Sequence, residues 1–204
     1  MILSDIDIKK ELEGEKISIK PLFPDAIQPS SVDLHLGKHF LVYERNNHSH
    51  IDPKNSVEED MKRIEVPVGE YFVLHSGEFA LGVTWEEIWV GNYKGKLDGL
   101  SSVGRLAAAV HITASTINPN DRLYITLELL NVGHSPIYLY PGMPIAQIEF
   151  AEMRSLPQNV YGAEGLGNVY TNLDPRPQPS NYWKKFQGTK YNWMDFAKKM
   201  DGEG

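Results

Sequence analysis

Residues 70–90 read EYFVLHSGEFALGVTWEEIWV. Apolar, aromatic and β-branched residues stand on both sides of the polar break HSGE (75–78). That composition is strand-forming, and the break is a turn, so the stretch predicts two strands. Its neighbours say the same. On the C-terminal side, LYITLELLN (123–131) is apolar on both faces and predicts a central, buried strand. PIYLYPGMPIAQIEF (136–150) predicts two strands joined by a Pro-Gly turn. On the N-terminal side, SVDLHLGKHFLVY (31–43) alternates around Gly37, as a strand with a bend or bulge does. KISIKP alternates and stops at Pro21.

Helical signals are few. Ser4 with Asp7 makes a weak capping box, and Ile2, Ile6, Ile8 and Leu12 mark a short helix that Gly14 ends. The alanine-rich run 106–110 predicts a helix of a few turns at most, and the charged stretch 45–63 a surface loop. After Met153 the chain turns rich in proline, glycine and tyrosine, with NWMDFAKKM (192–200) as a terminal amphipathic helix. The expected organisation is a β domain over 1–153 and a C-terminal arm over 154–204. That arm packs on the core or on a neighbouring subunit. No internal repeat is present. The class is mainly β, many short strands with two short helices.

Bulk properties exclude several functions. The chain has 204 residues, 41% hydrophobic and 23% charged, enough for an ordinary core. The net charge of −7 argues against a general nucleic-acid binder, so an anionic ligand must be met by a local cationic cluster. There is no cysteine, which removes disulfides and cysteine-ligated zinc and fits a reducing, cytoplasmic setting. The N-terminus has no apolar leader region, and no segment predicts a membrane span.

Three places could carry chemistry. In GLSSVGRL (99–106), Ser101 or Ser102 can cap a helix beginning near Val103, and Gly99 and Gly104 allow close backbone approach. The bland reading is a plain cap with a surface Arg105. The sharper one is a phosphate site made of first-turn N–H groups, hydroxyls and a guanidinium. Glu128 lies in an apolar strand, where a carboxylate is costly unless paired or working. It reads equally as a general base or as a strand-end glutamate facing solvent. HITASTINPN (111–120) predicts a hairpin of small residues able to show main-chain groups to a flat ligand. His48 and His50 read as loop residues, and His111 as a hydrogen-bonded, half-buried side chain. Tyr161, Tyr170, Tyr182, Trp183 and Phe186 read mainly as anchors of the arm.

Taken in order, MILSDIDI, IQPSSVDLHLG (27–37), LHSGEFALGVTWE (74–86), LDGLSSVGRL (97–106), HITASTIN (111–118), ITLELLN (125–131) and YPGMPIAQIEF (140–150) are collinear with one family. The sequence resembles the dCTP deaminase branch of the dUTPase superfamily. The resemblance implies a dUTPase-like distorted jelly-roll or β-barrel with short helices and an irregular arm. It also implies a homotrimer and a deoxycytidine nucleotide substrate. It assigns catalysis to Glu128, as base for water attack at C4, with Ser101 and Arg105 holding the phosphates and ordering the water. It further assigns nucleotide contacts to Ser102, Val103, Gly104, Ala114, Asn118, Thr126, Leu127 and Tyr161. Mg2+ would accompany the triphosphate, and no zinc is needed at the base, unlike the zinc deaminases.

Several positions depart from the family pattern. Leu100 stands where the family has an arginine, and Asn118 where it has an aspartate. NPNDRLY lacks two turn glycines, and Val169 and Leu173 replace a lysine and a glutamine of the arm. Each charge-assisted phosphate contact is worth about 1.5–3 kcal/mol. Two missing contacts weaken triphosphate binding by roughly two to four powers of ten unless Lys184, Lys185 or Gln178 compensates. Asn118 argues against phosphohydrolase activity, because the family's carboxylate positions the hydrolytic water. The first reading is therefore a deaminase. A dUTPase or bifunctional enzyme, and a nucleotide-binding homologue without turnover, are the alternatives.

Overall fold

The computed structural model describes residues 1–44, 50–159, 161, 170, 173–186, 197, 198 and 200. Ser4 opens helix α1 (Asp5–Glu13) with the expected capping box: its hydroxyl accepts the Asp7 N–H, and its own N–H donates to the Asp7 carboxylate at 3.3 Å. Of the predicted apolar stripe, Ile8 is buried and Leu12 packs on the core, but Ile6 points to solvent. Ile2 lies ahead of the helix, in a bridge to Ala151.

The strands are β1 (Ser18–Lys20), β2 (Val32–His35), β3 (His39–Tyr43), β4 (Met61–Glu65), β5 (Phe72–Leu74), β6 (Phe79–Trp89), β7 (Lys94–Gly99), β8 (Ala108–Ala109), β9 (Thr116–Ile117), β10 (Arg122–Asn131), β11 (Ile137–Leu139) and β12 (Pro144–Ala151). They form a six-stranded sheet in the order β4-β3-β6-β10-β8 with β1 also paired to β6. A four-stranded sheet follows the order β2-β12-β7-β9, and β5 pairs with β11. All these pairings are antiparallel. One hydrophobic core joins the two larger sheets: Leu34, Leu97, Ile148 and Phe150 from one, Phe40, Ile88, Leu127 and Leu129 from the other. This is the predicted mainly β architecture.

The bend at Gly37 carries the chain between these sheets. β2 belongs to one and β3 to the other, and the Gly37 N–H donates to the Val83 carbonyl at 2.7 Å. A Cβ at Gly37 would sit 2.9 Å from that carbonyl, so the close crossing requires glycine. A second tie is buried: the Glu86 carboxylate accepts the His35 N–H and lies 2.7 Å from His35 Nδ1.

Two expectations are corrected. The stretch 106–110 contributes strand β8, because Ala108 and Ala109 pair with Asn131 and Leu130; cross-strand pairing overrides alanine's helical preference. The short helix lies earlier, as α2 (Ser101–Gly104). Second, 45–63 is not all loop: β4 begins at Met61 after a 3-10 turn over Glu58–Asp60 and covers the edge of β3. Its charged side chains suit a sheet edge and masked it in the sequence. The segment 192–200 falls almost wholly outside the described residues, of which Ala197, Lys198 and Met200 are helical.

Candidate active site

β10 decides the site by its alternation. Ile125, Leu127, Leu129 and Asn131 point into the core, while Tyr124, Thr126, Glu128 and Leu130 are half-buried on the other face. On that face lies a cavity of about 420 Å3. Its walls include Ala114, Asn118, Asp121, Thr126, Glu128 and Tyr161. The predicted hairpin supplies one wall and the arm another. The arm is tied down by the Gln178 N–H, which donates to Thr126 Oγ1 at 3.2 Å, and Tyr170 also lines the cavity.

Glu128 is held firmly. Its backbone N–H donates to the Val110 carbonyl at 3.0 Å. Its Oε2 accepts the Ile112 N–H at 2.7 Å and the Thr113 N–H at 3.1 Å. It is half-buried, not sealed in an apolar layer, and it faces the cavity instead of open solvent. Asp121 is the other carboxylate on the cavity wall, and sequence reasoning missed it as a turn residue. Burial pushes its carboxyl up to about 6, against the effect of the Arg122 N–H that it accepts. Tyr161 is pushed up by burial first and then by the Asp121 charge facing it.

Ser101, Ser102 and Arg105 are elsewhere on this chain. α2 is a single turn whose N-cap is Leu100, with no side-chain cap bond, so neither serine caps it. Both serines and Arg105 are exposed, and Arg105 makes no ion pair among the described residues. Ser101 and Gly104 line a separate hollow of about 230 Å3 with Leu100 and His111. Val103 is buried in the core, as is Leu127, whose side chain therefore points away from the cavity. Leu100 packs against the core from the rim. Among the arm positions, Val169 lies outside the described residues, Leu173 is exposed, and Lys184 and Lys185 lie over the rings of Trp183 and Tyr182. Of Lys184, Lys185 and Gln178, it is Gln178 that lines the cavity. Among the described residues no three His, Asp or Glu side chains gather into a metal-holding group, and no helix is long and apolar enough to cross a membrane.

Two antiparallel sheets around one core, with a cavity beside a central strand, define a mainly β protein with a pocket sized for a small ligand. The family model described as dCTP deaminase-like matches residues 2–153, and the chain belongs to that family. A Corynebacterium diphtheriae protein named "dCTP deaminase, dUMP-forming" is 42% identical over 188 residues, covering 92% of this chain and 100% of that one. A protein of the same name from Acidothermus cellulolyticus is 40% identical over 191 residues, covering 93% and 100%. The crystal structure of 2'-deoxycytidine 5'-triphosphate deaminase from Agrobacterium tumefaciens has the same fold. It has a TM-score of 0.59 at 21% identity, over 73% of this chain and 47% of that chain.

Proposed function

We propose that this protein is a hydrolase that deaminates a deoxycytidine nucleotide, dCTP foremost, to the deoxyuridine nucleotide and ammonia. The observation that carries this is Glu128, clamped on Oε2 by two backbone N–H groups and set on the wall of a nucleotide-sized cavity. The names of the similar proteins agree with it.

In this reading the oxygen of a water bonds to C4 of the base. Its proton passes to the Glu128 carboxylate, which returns it to N3. The second proton, from the new 4-hydroxyl, is carried by Glu128 to the 4-amino group, and the C4 carbonyl forms as the C–N bond breaks and ammonia leaves. Glu128 does this without a metal at the base. Ala114 offers main-chain groups to the base, and the Asn118 amide bonds the sugar hydroxyl. Thr126 forms the opposite wall, and Tyr161 stands toward the phosphates. The backbone of Leu127, paired to Gly82, fixes the strand beneath.

Ser101, Ser102 and Arg105 hold the phosphates in this reading, with Val103 and Gly104 shaping their turn. On one chain Ser101 and Gly104 line a different hollow from Glu128, and none of the five lines the Glu128 cavity. A homotrimer reconciles the two: the serines and arginine of one subunit complete the cavity of the next. Mg2+ travels with the triphosphate and offsets its charge. It would be held chiefly by the phosphates and water, a mode that needs few protein carboxylates. From beyond 153, Tyr161, Tyr170, Gln178 and Ser180 line the cavity.

The test is a substrate panel. Protein with Mg2+ and dCTP is expected to release ammonia and yield a deoxyuridine nucleotide. No ammonia from dCTP, dCMP or a 5-substituted dCTP overturns the reading.

A further inference from the structure

The pairing of β10 with β6 is interrupted at one place. Tyr124 stands opposite Glu87 and Thr126 opposite Val83, so Thr84, Trp85 and Glu86 of β6 together face the single residue Ile125. A bulge of this kind breaks the ladder and bends the strand, and bulges recur beside active sites. On one side of it, Thr126 and Glu128 keep regular register with Val83 and Leu81. On the other, Tyr124 and Arg122 pair with Glu87 and Trp89, and the strand leads back to the turn that begins at Asn118. The bulge thus sets the offset between the half of β10 that carries Glu128 and the half that runs to Asn118.

The side chain of Thr84 holds the bulge. Its Oγ1 accepts the Ile125 N–H at 2.9 Å, where a regular ladder would offer a main-chain carbonyl. The same hydroxyl donates to the Glu86 carbonyl at 2.9 Å. A hydroxyl can accept and donate at once, and an alkyl group can do neither. Thr84 is 1% exposed, so bulk water does not reach these bonds. The other large sheet and the bend after it grip the same stretch. Leu36 bridges to Thr84, the Gly37 N–H donates to the Val83 carbonyl, and the Glu86 carboxylate accepts the His35 N–H.

We propose that Thr84 is a positioning residue for the deamination: through the Ile125 N–H it fixes Glu128 opposite C4 of a base whose sugar is held from the other half of β10. The proposal rests on the nucleotide reading given above. Among the described residues that line the cavity Thr84 is absent, so it acts through the main chain of β10 and not on the nucleotide. Its loss leaves the nucleotide contacts present but out of line with Glu128. A misplacement of about 1 Å between reacting groups costs about 10²-fold in rate. The loss therefore falls on kcat and spares KM.

The experiment measures kcat and KM for ammonia release from dCTP with Mg2+, per folded protein, for the wild type, Thr84→Val and Thr84→Ser. Thr84→Val keeps the shape and removes the hydroxyl. Its kcat is expected to fall at least about tenfold, with KM within about threefold of the wild type. Thr84→Ser keeps the hydroxyl, and its kcat is expected to stay within about threefold of the wild type. Should Thr84→Val not fold, Thr84→Ala reads the same split. An unchanged kcat in Thr84→Val overturns the proposal, and so does a loss carried by KM alone. Thr84→Ser no more active than Thr84→Val also overturns it, because the hydroxyl is then not what matters. Each of these leaves the deamination reading standing. A wild type that releases no ammonia overturns that reading, and this proposal with it.

Discussion

Glu128 and Ile112 are locked together: the Glu128 carboxylate accepts the Ile112 N–H at 2.7 Å, from the segment after β8 that is already joined to β10 through Val110. A carboxylate held this way keeps its position without a counter-ion. Glu128→Gln keeps an acceptor for Ile112 and Thr113 but cannot take a proton. Ammonia release is expected to fall by about 10²–10⁴-fold. The melting temperature is expected to stay within about 2 °C of the wild type, as measured by thermal unfolding.

Gly99, just before the serine turn, lies close against this same segment. A Cβ at Gly99 would lie 2.8 Å from Val110 Cγ2. Val110 is β-branched and its carbonyl receives the Glu128 N–H, so it cannot yield freely. Gly99→Ala is expected to cost about 1–3 kcal/mol in urea unfolding. It is also expected to lower turnover, because displacing Val110 displaces Glu128. Full activity in a destabilised variant would argue against that coupling.

Asp121 gives a pH signature in stability. Its carboxyl is raised by burial to about 6 in the folded chain. Between the ordinary aspartate value, about 4, and about 6, the folded protein holds a proton that the unfolded chain releases. Stability contributed by this group is therefore present at low pH and lost as pH rises through that window. Asp121→Asn removes the loss. The variant is expected to be more stable than the wild type at pH 7–8, with the difference vanishing below about pH 4. Matched unfolding curves at these pH values check it.

The buried Glu86 behaves differently, as a structural tie. It is 1% exposed and bonds His35 through both backbone and ring. Glu86→Ala leaves the His35 N–H buried and unmet, and is expected to cost about 3 kcal/mol. Because the pair joins β2 to β6, the effect reads out in denaturant midpoint.

Much of this was legible in the sequence. The strands around 75–78, the bend at Gly37, the capping box of Ser4 and the Pro-Gly turn before β12 each follow from local pattern, and the structure has them. Glu128 stood out because a carboxylate in ITLELL breaks an apolar run. Three things were hidden. β8 was masked by alanine's helical preference, since its partner Leu130 is more than twenty positions away. β4 was masked by the charges that protect a sheet edge. Asp121 was masked because an aspartate in NPND reads as turn chemistry. Only the folded chain shows that its side chain enters the cavity. The separation of Ser101 and Arg105 from Glu128 is likewise a property of tertiary placement, which spacing along the chain does not encode.

That separation gives a decisive assay: ammonia release from dCTP by the wild type, by Glu128→Gln and Arg105→Ala alone, and by the two variants co-assembled. The wild type is expected to release ammonia, and each variant alone to lose most of it. Random mixing in a ring of identical subunits places an intact Glu128 beside an intact Arg105 at about a quarter of the interfaces, so the mixture regains about that share. A silent wild type would contradict deamination. A mixture no more active than its parents would contradict a site shared between subunits.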